Sequence, residues 1–186
     1  MNNRIEDIIS ELSDTKEKIV IAIEGSCASG KTTLAKEIAE KYDCNIIHMD
    51  DFFLPFEKRT PERFSEIGGN IDYERFCEEV AENIRADSPF SYGNFDCSTG
   101  EISQMVTVKP KKITVIEGVY SMHPKFGNIY DLCIFLDITE EIKLDRLRKR
   151  SPEKLERFIN DWIPKENQYF EAYKIKEKCD LVIDNN

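Results

Sequence analysis

Histidine is almost missing from this chain: His48 and His123 are the only two in 186 residues. The six cysteines (Cys27, Cys44, Cys77, Cys97, Cys133, Cys179) are scattered, with no Cys-x-x-Cys pair. Together these shortages exclude the ligand spacing of a structural zinc site, and reduced, mostly buried thiols are expected instead. Long apolar runs are missing too, and no stretch approaches the ~20 residues that span a bilayer. The first segment, 1–11, carries Ile5, Ile8 and Ile9, followed by Leu12, at helical spacing, and lacks the apolar centre of a signal peptide. A cytoplasmic protein with no membrane partner is expected. Positive charge is also in deficit, with 26 Lys plus Arg against 36 Asp plus Glu and a net charge of −10. Binding a nucleic-acid backbone needs a basic surface, so no nucleic-acid partner is expected. The length suits one domain, 1–186, and leaves no room for a second.

What the chain does contain is an alternation of short apolar runs with helical patterns. Strands are predicted over 18–24, 45–49, 113–117, 132–138 and 181–184. A helix over 32–42 sets Leu34, Ala35, Ile38, Ala39 and Tyr42 on one face. This pattern predicts an α/β fold, a five-stranded parallel sheet with helices on both faces. Between the second and third strands, Asp72 is a natural N-cap for a helix carrying Phe76, Cys77, Val80, Ala81 and Ile84. The runs 90–96 and 104–109, separated by a polar stretch with Gly100, predict an inserted β-hairpin. The whole insertion, about 55–110, reads as a substrate-covering element. After the fourth strand comes a charged helix, 140–150, then a start signal at Ser151-Pro152. The apolar stripe of Leu155, Phe158, Ile159, Trp162 and Ile163 reads as core and as interrupted by Pro164.

Directly after the first strand stands Gly25-Ser26-Cys27-Ala28-Ser29-Gly30-Lys31-Thr32, followed by Thr33. This satisfies G-x-x-x-x-G-K-[ST] in a strand–loop–helix context, where a chance match has a probability below roughly 1%. The glycines let successive backbone N–H groups turn inward onto phosphates at the N-terminus of the following helix. Lys31 is expected on the β- and γ-phosphates and Thr32 on Mg²⁺, with ATP as the nucleotide. The motif by itself says nucleoside triphosphate and no more. No Asn-Lys-x-Asp for guanine is present, Glu117-Gly118 stands where a GTPase switch would have Asp-x-x-Gly, and the length is short for a motor or helicase. A small-molecule or nucleotide kinase remains. The second strand ends in His48-Met49-Asp50-Asp51-Phe52-Phe53, and strand ends in a parallel sheet converge on one crevice. One of Asp50 and Asp51 is therefore expected to accept the acceptor's proton, the alternatives being a helix cap or an outer ligand of Mg²⁺. Glu117, ending the third strand, is expected to reach the metal through water. Arg146, Arg148, Lys149 and Arg150 make a locally basic helix in an acidic chain, with Arg146 and Arg150 four apart on one face. Tyr120 and His123 lie near the crevice by position only.

These motifs resemble the uridine kinase and phosphoribulokinase group of P-loop kinases, nearest its uridine kinase branch, from Gly25 to Asp184. The resemblance implies the P-loop NTPase fold and an ATP- and Mg²⁺-dependent phosphotransferase. Asp50-Asp51-Phe52-Phe53 is similar to that branch's Asp-x-Phe-Tyr segment, which makes Asp50 the catalytic aspartate. Asn70-Ile71-Asp72 resembles its Asn-(aromatic)-Asp segment and assigns the sugar hydroxyls to Asp72. Tyr92 and Phe95 fall in the counterpart of its base-enclosing hairpin, and the basic helix resembles its lid, about 143–165, with Arg146 and Arg150 on the triphosphate. The implied acceptor is the 5′-hydroxyl of a pyrimidine nucleoside. The other readings are another alcohol, pantothenate-like or a sugar phosphate, and a switch that binds nucleotide without catalysis. Residues 90–101 hold no basic side chain, which favours a neutral acceptor. The family histidine that reads the pyrimidine has no equivalent, since Asp96-Cys97-Ser98 occupy its region, and a loop beyond the last strand that contacts adenine is expected to be reduced. A small-molecule partner is expected, and the sequence leaves room for a homo-oligomer.

Overall fold

The apolar runs form strands β1 (Ile19–Glu24), β2 (Cys44–His48), β5 (Ile113–Glu117), β6 (Leu132–Asp137) and β7 (Leu181–Asp184). Two more polar runs form β3 (Phe90–Asp96) and β4 (Glu101–Val108). The structure is a computed structural model that describes residues 2–186. Five strands make one parallel sheet in the order β2-β5-β1-β6-β7, and β3 pairs with β4 as a separate antiparallel ribbon. All six residues of central β1 are buried. A parallel sheet covered on both faces needs apolar side chains on both, so its strands read as unbroken apolar runs. Ile19, Ile21 and Ile23 pack with Ile5 and Ile9 of α1 (Asn3–Thr15) and with Leu34 and Ile38 of α2 (Lys31–Lys41). Val20, Ile47 and Ile116 belong to the other layer, with Phe52, Phe76 of α4 (Tyr73–Phe76) and Tyr169 of α7 (Ile163–Tyr173). Because β1 lies between β5 and β6, its carboxyl end opens where the strand order reverses, the position of the ligand crevice in open α/β sheets.

Several boundaries differ from the sequence expectation. β2 stops at His48, and Met49–Phe52 form a 3₁₀ turn that swings Asp50 and Asp51 out of strand geometry. β4 begins at Glu101, three residues early, because Glu101–Met105 are solvent-exposed and carry no apolar alternation to mark them. Pro164 does not end the helical stripe. It stands in the first turn of α7, where a missing N–H is harmless, directly after a wide π turn over Phe158–Trp162. The helical path from α5 (Glu140–Arg150) through α6 (Leu155–Arg157) thus continues past the proline to Tyr173. The insertion also contains α3 (Pro61–Ser65), N-capped by Thr60. Of the cysteines, Cys27 and Cys44 are buried, whereas Cys97 is exposed at the hairpin turn. Among the described residues, no helix is long and apolar enough to cross a membrane.

Candidate active site

The loop 25–30 leaves the end of β1 and enters α2 at Lys31. Gly25 sits at φ +138°, and a Cβ there would lie 2.5 Å from the Leu136 carbonyl oxygen of β6. Only glycine fits that approach. Gly30 (φ +98°) and Ala28 (φ 59°) complete the turn. Lys31 is buried and folds back, its Nζ donating to the carbonyls of Gly25 and Ser26 at 2.8 Å each. Ser29 is fully buried and its Oγ has no hydrogen-bond partner. A buried hydroxyl left unpaired is rare enough to ask for an explanation, and a loop built to receive phosphate oxygens supplies one.

Cys27 to Thr33, Asp50, Phe95, Glu117, Tyr120, Arg146 and Arg150 line one cleft of about 1150 Å³. Thr32 Oγ1 donates to Glu117 Oε1 at 2.9 Å, and His48 Nδ1 lies 2.6 Å from the same oxygen. Burial raises the Glu117 carboxyl, but the hydrogen bonds from His48 and Thr32 and the charge of Lys31 outweigh it and hold the group below its ordinary value. The His48 imidazole is raised in turn, chiefly by its bond to Glu117. Thr32 and Glu117 offer adjacent hard oxygen donors, the donor type that suits Mg²⁺.

Asp50 and Asp51 separate clearly. Asp51 accepts from Tyr92 Oη at 3.1 Å and from Asn94 Nδ2 at 2.8 Å, so both its oxygens hold down the hairpin. The Asp50 carboxylate has no hydrogen-bond partner among the described residues and faces the cleft. Protein crowds it even though its side chain reaches the cleft's solvent. That desolvation raises its carboxyl above the ordinary value, with Glu117 adding repulsion and Lys31 and His48 pulling it back. Phe95 reaches the same cleft, its ring against Phe53, because strand alternation puts it on the opposite face of β3 from Tyr92 and Asn94.

Other expected residues stand elsewhere. Tyr92 is buried under the hairpin and does not line the cleft. Asp72 is 1% exposed, caps α4 through the Arg75 N–H, pairs with Lys58 Nζ at 2.9 Å and does not line the cleft. His123 lies in an aromatic cluster, stacked 5.0 Å from Tyr73. Arg146 donates to the loop carbonyl of Ala28 (3.1 Å) and to the Asn185 carbonyl (2.8 Å). Arg150 lies 5.8 Å from the Phe158 ring centroid. Phe158 and Trp162, read from sequence as core, do pack in a small buried cluster with Cys27, Leu147 and Ile163, and this cluster also forms part of the cleft wall.

Sequence reasoning missed four residues. His48 had a signal, since parallel pairing of β2 with β5 sets it beside Glu117. Arg59 had none, being one cation in a polar insertion. Glu166 and Glu24 also had none. Glu166 is buried, and its Oε2 accepts the Cys27 loop N–H at 2.9 Å. Truncating it in Glu166→Ala leaves that amide unpaired and is expected to cost about 1–3 kcal/mol. Urea unfolding checks this, and Glu166→Gln, which keeps an acceptor, should recover most of the loss. Glu24 is completely buried, accepts from Gly25 N, Met122 N, Ser121 Oγ and Tyr169 Oη, and is pushed up to about 7 by burial.

No protein-family model matches the chain. It is similar to the uridine kinase of Anoxybacillus flavithermus, 26% identical over 186 residues covering 90% of this chain and 86% of the relative. It is also similar to the uridine kinase of Clostridium botulinum, 25% identical over 83% of this chain and 77% of that one. Its fold is shared with a possible uridine kinase from Bacillus stearothermophilus (TM-score 0.71, 22% identity, 97% of this chain and 100% of that chain). It is shared more distantly with shikimate kinase from Bacteroides thetaiotaomicron (TM-score 0.51, 18% identity, 90% and 86%). The sheet with its glycine loop is thus the α/β P-loop NTPase fold, and in sequence and fold the chain is similar to uridine kinases.

Proposed function

We propose that the chain transfers the γ-phosphoryl group of ATP to a hydroxyl of a small-molecule acceptor, with Asp50 as the base. The observation that carries this reading is the free Asp50 carboxylate in the cleft lined by Lys31, Thr32 and Glu117. The loop amides and Lys31 hold the phosphates, and Lys31 does so by exchanging its two loop carbonyls for phosphate oxygens. Thr32 and Glu117 are the residues that would hold Mg²⁺, which when bound neutralises charge on the transferring group. The acceptor oxygen forms a bond to the γ-phosphorus as the bond to the ADP oxygen breaks, and the hydroxyl proton passes to Asp50. Arg146 and Arg150, on α5 beside the loop, are suited to the charge that spreads over the phosphoryl oxygens.

The names of the relatives make a pyrimidine nucleoside the first acceptor to assay. Asp72, the sugar ligand implied by the resemblance, would have to be released from Lys58 to serve one. Coupled ADP release over nucleosides, pantothenate, hydroxy acids and sugar phosphates tests the proposal, and the absence of acceptor-dependent ADP with every one of them sinks it. Lys31→Ala is expected to lower kcat/KM for ATP by on the order of a hundredfold or more. Its melting temperature should stay within a few degrees of the parent, because the freed carbonyls lie beside the open cleft. A collapse in stability with normal turnover of the folded remainder would contradict the role given to Lys31.

A further inference from the structure

The cleft carries two groups of cations. One stands at the phosphate loop and α5: Lys31, Arg146, Lys149 and Arg150. A nucleoside triphosphate accounts for it. The second comes from other elements lining the same cleft: Arg59 of the insertion, with Lys154 and Arg157 of the segment after α5. Arg59 comes from the insertion, with its guanidinium 4.2 Å from the Phe56 ring centroid and 5.8 Å from that of Phe95 on the hairpin. Among the described residues, none of the three has a carboxylate within 4 Å. The nearby acid Asp161 is taken by Lys165 at 2.6 Å, and Arg59 gives its Nε–H only to the Leu54 carbonyl. No carboxylate therefore offsets Arg59, and its guanidinium is lowered, first by desolvation and then by the charge of Arg157. Cys97, at the hairpin turn, lines the same cleft as these cations and as Asp50, the proposed base.

Resting on the phosphotransfer reading above, we infer that the acceptor is a hydroxylated anion, a carboxylate or a phosphate monoester, whose charged group sits between Arg59, Lys154 and Arg157 while its hydroxyl meets Asp50. The absence of basic residues from 90–101 points to a neutral acceptor, but cations reach this cleft from residues 59, 154 and 157, which sequence proximity does not reveal. Planar guanidinium groups are the usual means of gripping carboxylate and phosphate oxygens. Arg59, half-buried and with no carboxylate within 4 Å among the described residues, is costly to hold there until an anion reaches it.

The test uses Trp162, the only tryptophan of the chain. It lines this cleft with the Arg157 guanidinium 4.7 Å from its ring centroid, so ligand binding is read in its emission without turnover. The full-length chain, its phosphate loop filled with Mg²⁺ and a non-hydrolysable ATP analogue, is titrated with glycerate, glycerol 3-phosphate and glycerol, with pantothenate and pantothenol, and with uridine. The expected result is that an anionic probe binds at least tenfold more tightly than its neutral partner. Comparison of glycerate with glycerol 3-phosphate separates carboxylate from phosphate recognition. Arg59→Gln and Arg157→Gln should each erase the preference while changing affinity for the ATP analogue less than twofold. Equal response, or none, from anionic and neutral members overturns the inference, as does uridine binding more tightly than every anion. It is also overturned if the two variants weaken the ATP analogue instead, since these arginines then serve the triphosphate. Turnover of neutral alcohols without anion preference overturns this inference alone. Anion preference with no ADP from any acceptor overturns the phosphotransfer reading alone.

Discussion

Asp50→Asn is expected to lower kcat by a factor of about 10²–10⁴, the range over which a positioned proton acceptor contributes, and to leave ATP affinity within a few-fold of the parent. The reasoning lies in how neighbouring acids are used. Asp50 holds no structural partner among the described residues, so its amide replacement removes no contact that shapes the cleft. What it removes is a lone pair with both the basicity and the freedom to take a proton. Asp51→Asn should behave differently. Its two oxygens accept from Tyr92 and Asn94, and an amide keeps these partners only by turning the Tyr92 hydroxyl into an acceptor and by trading charge-assisted bonds for weaker neutral ones, so the hairpin loosens and stability falls while kcat in the folded fraction changes much less. Steady-state kinetics with a denaturation curve for each variant checks both. If Asp51→Asn abolishes turnover and Asp50→Asn does not, the roles are reversed and the base has been misassigned.

The stability of the wild-type chain is expected to fall by about 2 kcal/mol more than that of Glu24→Gln as pH rises from 5 to 8. Glu24 is lifted from 4.5 to about 7 in the folded chain, so folding binds a proton more tightly there. For a raised carboxyl, the contribution to stability is fully present below the unfolded value and is lost as pH climbs to the folded one. A rise from 4.5 to about 7 corresponds to roughly 3 kcal/mol at most, of which about 2 falls between pH 5 and 8. The amide variant carries its own fixed cost, because its NH₂ faces donors, but that cost does not vary with pH and drops out of the comparison. Urea unfolding of both proteins at the two pH values is the measurement, and parallel losses would show that Glu24 is ionised in the folded state without penalty.

Much of this molecule could be read from residue order alone, and the reasons are local. The apolar runs of β1, β5 and β6 need both sheet faces covered, and the glycine loop is recognisable because its phosphate chemistry tolerates few residue types. What escaped reading depends on partners distant in sequence. Glu24 ends an apolar strand and looks like a solvent-facing acid until Tyr169 and the turn at Ser121 close over it. Glu166 looks like any polar residue of a helix, and only folding brings it to the Cys27 amide. Tyr92 and Phe95 read alike, yet they stand on opposite faces of β3, so Phe95 meets the cleft while Tyr92 serves Asp51. Arg59 gains meaning from Arg157, some hundred residues away in the chain. Local chemistry is legible; convergence is not.

The three loop contacts to Arg146, Glu166 and Asn185 also bear on the order in which the chain folds. Ala28, Cys27 and Ser29 are joined to residues 118, 139 and 156 positions further on. Contacts of such separation are among the slowest to close in a parallel α/β chain. The phosphate loop is therefore completed late, after the sheet beneath it, and is among the first parts to open when the chain fluctuates. Native-state hydrogen exchange should show the Cys27 amide protected through an opening of lower free energy than the amides of β1 immediately before it. Nucleotide binding would then fade under mild destabilisation while the sheet persists, a loss of function that precedes loss of fold.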